Sequence, residues 1–99
     1  MNSNSHSEKI HIAAKHPTLP GHFPGNPVVP GVVLLDRVTA AIERAWGLHV
    51  GGFPQVKFLR PLGPGQTVEL IIEREAAGAR FRIVSDADII ASGTAEVAP

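Results

Sequence analysis

Hydrophobic and polar positions follow three different rhythms along the chain. From Glu8 to Ala14 they alternate, with Ile10 and Ile12 set against Lys9 and His11, and period two predicts a short strand. After Gly31 the period lengthens: Leu35, Val38, Ile42 and Ala45 recur at steps of three and four, flanked by Leu34, Ala41 and Trp46. This predicts a helix over residues 31–46, ended by Gly47, with Asp36, Arg37, Glu43 and Arg44 on its polar side. Alternation then returns, predicting strands over 54–61, 67–75, 79–85 and 88–97, with GLHVGGF (47–53) as a Gly-rich connection. Turns are signalled by Gly63-Pro64-Gly65, Ala77-Gly78 and Asp86-Ala87-Asp88. A strand, one long helix and four sequential strands give an α+β layout with an antiparallel sheet.

Between the first strand and the helix, residues 16–31 show no periodicity, and a loop of that length in so small a domain is expected to be functional. The part from Gly21 to Gly31 holds one His, three Pro and three Gly in eleven residues. Pro fixes φ and Gly admits backbone approaches that a Cβ forbids, so the composition describes a loop held in one shape. It would present His22, whose neutral imidazole accepts a proton near physiological pH. Gly31 falls nine residues later, at the start of the helix, where backbone N–H groups lack intrahelical partners and the helix dipole is positive. Such a donor suits a carbonyl oxygen that becomes negative during a reaction. Asp36 comes fourteen residues after His22. By itself it reads as a solvated helix carboxylate, but the apolar run Val32 to Leu35 would partly desolvate it, the condition that makes a carboxyl a usable acid.

Composition narrows the classes. Ninety-nine residues make a single domain, 1–99, with residues 1–6 a polar, disordered lead-in; so small a chain is expected to oligomerise. Nine basic and nine acidic side chains cancel, which disfavours nucleic acid and anionic membranes as partners. With no Cys, no signal-peptide pattern and no apolar run long enough for a bilayer, the expected location is the cytoplasm. His16 and His22 have no third ligand at metal-binding spacing, and neither a G-x-S-x-G elbow nor a Walker loop occurs, so no metal or phosphate-loop chemistry is expected. Trp46, Phe53, Phe58 and Phe81 read as core, while Arg37, Arg44, Lys57 and Arg60 are candidates for meeting an acidic partner.

The run His22-Phe23-Pro24-Gly25-x-Pro27-x-x-Pro30-Gly31, with an acid at position 36, resembles the active-site signature of the β-hydroxyacyl-acyl-carrier-protein dehydratases. A second run, Val56 to Gln66 (VKFLRPLGPGQ), resembles the strand and turn that follow the central helix in that family. The resemblance implies a hotdog fold, an antiparallel sheet wrapped around one helix. It also implies dehydration of a 3-hydroxyacyl thioester carried on acyl carrier protein, without a cofactor. His22, Gly31 and Asp36 would be catalytic, and Phe23, Gly25, Pro30 and Val32 would contact substrate. Asp36 would face the His22 of a second subunit, so that a homodimer shares its two sites. The chain is shorter than the housekeeping members and has no Tyr to gate a tunnel, and so is also similar to the compact dehydratases of specialised pathways such as aryl-polyene synthesis. Two other readings stay open: a hotdog acyl-thioester hydrolase relying on Asp36, and a non-catalytic acyl-thioester binding subunit.

Overall fold

The computed structural model describes residues 4–12, 29–63, 65–86 and 88–99. Five strands and one helix follow in the order β1 (Ser5–His11), α1 (Gly31–Trp46), β2 (His49–Phe58), β3 (Thr67–Glu75), β4 (Gly78–Ser85) and β5 (Asp88–Ala98). The strands form one antiparallel sheet in the order β1-β3-β4-β5-β2, so β1 and β2 are its edges. This is the α+β arrangement that the alternating pattern predicts, with the helix lying on one face of the sheet.

The core lies between that face and the helix. Val68, Leu70 and Ile72 of β3, Phe81 and Ile83 of β4, and Ala91 and Ala95 of β5 are buried in alternation with more exposed neighbours; at the register shift between β4 and β5 the alternation breaks, and Ile90 is buried beside Ala91. Val33, Leu34, Val38, Ala41 and Ile42 meet them from α1. The buried stripe is therefore turned by about one residue from the expected one: Leu34 is buried, whereas Leu35 and Ala45 are half-buried beside the core. Phe53 packs edge-on against Phe81, with ring centroids 5.8 Å apart.

Both ends of α1 fall where the sequence puts them. Pro30 precedes it with extended backbone, and Gly47 ends it in the left-handed region at φ 67°, its N–H donating to the Glu43 carbonyl at 2.9 Å. Two strands differ from expectation at both ends. β1 spans Ser5–His11, not 8–14; Ser5 and His6, read as part of a disordered lead-in, pair with Glu73 and Ile72. β2 begins at His49 and ends at Phe58, so most of the supposed Gly-rich connection is strand, with register shifts around Gly52. An edge strand tolerates Gly, Pro54 and a bulge because one side of it needs no partner within the sheet.

Arg44 near the end of α1 donates two hydrogen bonds to Glu8 of β1, the longer at 2.7 Å, and His6 lies 3.0 Å from the same carboxylate. Burial alone pushes the Glu8 carboxyl up, but the Arg44 bonds and the His6 contact outweigh it and hold it below the usual glutamate value. Among the described residues no helix is long and apolar enough to cross a membrane.

Candidate functional site

At the N-terminus of α1 the fold opens a cleft of about 460 Å³. One wall is Val29, Pro30, Gly31 and Leu34; the other is the end of β2 and the chain after it, Phe58 to Leu62. Two backbone hydrogen bonds place these walls. Val29 N–H donates to the Leu62 carbonyl at 2.8 Å, and Gly65 N–H donates to the Ile12 carbonyl at 2.7 Å. The chain after β2 is thus tied both to the residues that enter the helix and to those that leave β1. Leu59 and Arg60 N–H groups share the Ile90 carbonyl, at 2.8 and 3.2 Å, which fixes the second wall against β5.

Gly31 sits in this cleft in unusually close contact with a side chain. A Cβ built on it would lie 2.6 Å from Cζ of Phe58, and 3.1 Å from each neighbouring ring carbon. The ring tip therefore rests where any other residue would carry its side chain, which is the local reason for glycine here. Pro30 provides no side-chain cap, and the first turn of α1 holds no acidic residue. The positive end of the helix thus meets an apolar cleft without a carboxylate of its own to neutralise it.

The site residues expected from sequence divide into two groups. Gly31 and Pro30 line the cleft. Val32 is 62% exposed and Asp36 is exposed; neither lines it. Asp36 lies about 140° around the helix axis from Gly31 and roughly 7.5 Å along it. The desolvation expected from Val32 to Leu35 does not occur within one chain, because Val33 and Leu34 turn into the core while Val32 faces outward. His22, Phe23 and Gly25 lie outside the described residues, as do His16 and Pro27.

Phe58 is the correction with most consequence. Read as core from its aromatic character, it is 52% exposed and forms the rim of the cleft, with Leu59 exposed beside it. Alternation in β2 turns Phe58 away from Lys57 and toward the helix side of the sheet, as a core residue would be turned. What the alternation could not show was that the helix begins under the ring with a glycine. Among the described residues no group of three His, Asp or Glu side chains is placed to hold a metal ion.

Comparison with known proteins bears on this site. The family model described as ApeI-like, ApeI dehydratase, matches residues 1–94. The chain belongs to the ApeI-like dehydratase family. Among solved structures, it is similar to the dehydratase heterocomplex ApeI:P from Xenorhabdus doucetiae, with a TM-score of 0.85 and 26% identity over 97% of this chain and 88% of that one. The E. coli PaaI protein from the phenylacetic acid degradation operon, at 16% identity and a TM-score of 0.75 over 100% of this chain and 79% of that one, shares the hotdog fold. The 3-hydroxyacyl-acyl-carrier-protein dehydratase FabZ of Rhizobium rhizogenes is 30% identical over 95 residues, 86% of this chain and 60% of that protein. FabZ of Chloroflexus aggregans is 34% identical over 77 residues, 69% of this chain and 53% of that protein. The chain spans about half to three-fifths of the length of these curated relatives. The hotdog fold implied by the sequence resemblance is thus the fold of the chain.

Proposed function

We propose that the protein removes water from a 3-hydroxyacyl thioester, presented on acyl carrier protein, to leave the trans-2-enoyl thioester. The observation that carries this reading is the uncapped N-terminus of α1 at Gly31, opening into an apolar cleft under Phe58. An acyl chain fits apolar walls, and a thioester oxygen that gains charge as the C2 proton leaves is stabilised by a preorganised N–H in a site of low dielectric. Family membership supports the same chemistry.

In this mechanism His22 takes the C2 proton and the C2–H electrons move into the enolate, whose oxygen accepts from Gly31 N–H. The enolate then re-forms the thioester carbonyl as the C3–O bond breaks. Asp36 supplies the proton that lets the 3-hydroxyl leave as water. No step calls for a cofactor. Asp36 lies on a flank of α1 turned away from its own chain's cleft, which favours a site completed by a second subunit, with Asp36 of the partner subunit facing the cleft. A homodimer with two shared sites meets this requirement. The similarity to a heterocomplex favours, as an alternative, a second assembly in which an unlike subunit takes the partner's place.

Mass spectrometry of a 3-hydroxyacyl carrier protein after incubation with the purified protein tests the reading. Loss of one water, abolished by His22→Ala and strongly reduced by Asp36→Asn, is the expected result. Release of free carrier protein, dependent on Asp36 and indifferent to His22, would make the protein a thioesterase. An unchanged substrate across several acyl lengths would make it a binding subunit.

A further inference from the structure

On the solvent face of the sheet, opposite the helix, β2, β4 and β5 bring a set of cations into register. Lys57 of β2 and Arg82 of β4 are both paired with Ser92 of β5, one on each side. Gln55 and Arg80 flank Thr94 in the same way, two residues further along. Adjacent strands are about 4.8 Å apart, so Lys57 and Arg82 stand roughly 10 Å apart across the serine. These residues line a groove of about 320 Å³, with the exposed Ile89 at one end.

The three cations are not equivalent. Arg80 is answered within the chain, since Glu75 lies 3.2 Å away and Glu73 is its cross-strand neighbour. Arg82 has Ile71 as its neighbour on β3 and Ser92 on β5, and no ion pair joins it or Lys57 among the described residues. A chain of zero net charge therefore keeps two cations without ion-pair partners among the described residues on either side of Ser92, in a groove with an exposed isoleucine. Lys57 and Phe58 are consecutive, so this patch and the mouth of the cleft occupy opposite faces of one strand end.

We infer that the Lys57–Ser92–Arg82 patch is a docking surface for an acidic protein, whose carboxylates meet the two cations while an apolar side chain covers Ile89. Resting on the function proposed above, the occupant is the carrier protein that brings the thioester. Charge complementarity selects it: a carboxylate-rich surface gains from both cations, and hydroxyls between them accept or donate as required. The contact is electrostatic and open to solvent, so it weakens as salt rises.

The test compares Lys57→Glu/Arg82→Glu with wild type on two substrates, the 3-hydroxyacyl carrier protein and the same acyl group on a short pantetheine-like thiol. The expected result is a roughly 10- to 100-fold fall in kcat/KM for the carrier-linked substrate, carried by KM, with turnover of the small thioester unchanged. Wild type should lose the advantage of the carrier at high salt, and the variant should show little salt dependence. A control, Lys9→Glu/Arg74→Glu, makes the same charge change on β1 and β3, away from the patch and the cleft; an equal loss in it would overturn the proposal. Unchanged carrier-linked turnover in Lys57→Glu/Arg82→Glu would overturn it too, while leaving the dehydratase reading intact. If wild type turns over neither substrate, that reading fails instead, and calorimetric titration with holo carrier protein decides the docking surface: binding lost in the variant supports it, and no binding by wild type refutes it.

Discussion

Replacing Gly31 by Ala separates the shape of the cleft from the stability of the fold. Gly31 is absent from the glycines with positive φ, so alanine fits its backbone and gains about 0.4–1 kcal/mol by restricting the unfolded chain. Against this stands the Phe58 ring, whose Cζ would be 2.6 Å from the new methyl. Carbon atoms rest at about 3.5–4.0 Å, so the ring must retreat by roughly 1 Å. Phe58 is 52% exposed and can swing toward solvent, at a cost of about 0.5–1.5 kcal/mol for an off-rotamer side chain. The two effects nearly cancel. Thermal denaturation should therefore move by no more than about 4–8 °C, the shift that accompanies about 1 kcal/mol in a domain of this size. Turnover should respond far more, because the displaced ring and the added methyl both alter the space beside the Gly31 N–H; kcat/KM is expected to fall at least tenfold. Phe58→Ala in the same chain removes the clash, and a double-mutant cycle should give a coupling of about 0.5–1.5 kcal/mol in stability. Additive stabilities, or a loss above about 3 kcal/mol for Gly31→Ala alone, would refute the assignment of the ring as the element that yields.

Gly93→Ala should behave in the opposite way, because its Cβ would run into the Gln55 carbonyl oxygen of β2 and lie 2.9 Å from the Phe81 ring, which is 1% exposed. Neither can retreat, so a loss of about 3 kcal/mol or more is expected in urea denaturation; a loss under about 1 kcal/mol would contradict this packing. Glu8→Gln should cost roughly 0.5–1 kcal/mol at neutral pH, the size expected of a partly exposed ion pair. Because the folded carboxyl lies below its unfolded value, the contribution is complete above the usual glutamate value and disappears as pH falls through the lower, folded one. Melting temperatures of the two proteins should therefore converge in acid, and a gap that persists near pH 2 would show that packing, not charge, is responsible.

The helix was legible in sequence because both of its ends carry backbone signals: Pro30 and Gly31 open it, and Gly47 closes it in the left-handed region. β2 was not, since His49-Val50-Gly51-Gly52 reads as a connection and becomes strand only by pairing with Val97, Ala98 and Glu96 of β5, a contact distant in sequence. The placement of β1 failed for a related reason. Its alternation runs past Ile12, but β3 supplies partners only from Ser5 to His11. At the site, the Gly31 position followed from local rules, whereas the exposure of Phe58 depended on where a strand ends relative to a helix start. The outward flank occupied by Asp36 followed from helical geometry, yet that Val33 and Leu34 turn into the core and leave it exposed was decided by tertiary packing.

The two hydrogen bonds beside the cleft have a further consequence. Ile12, where the chain leaves β1, and Val29, where it enters the helix, are both fastened to the short stretch from Leu62 to Gly65. Whatever lies between Ile12 and Val29 starts and finishes at fixed neighbouring posts. Lengthening such a segment costs little, about 0.6 kcal/mol for each doubling, since closure entropy grows only with the logarithm of length. The frame is thus a socket of fixed width, whose two rims are held at Leu62 and Gly65 whatever the length of chain fitted between them.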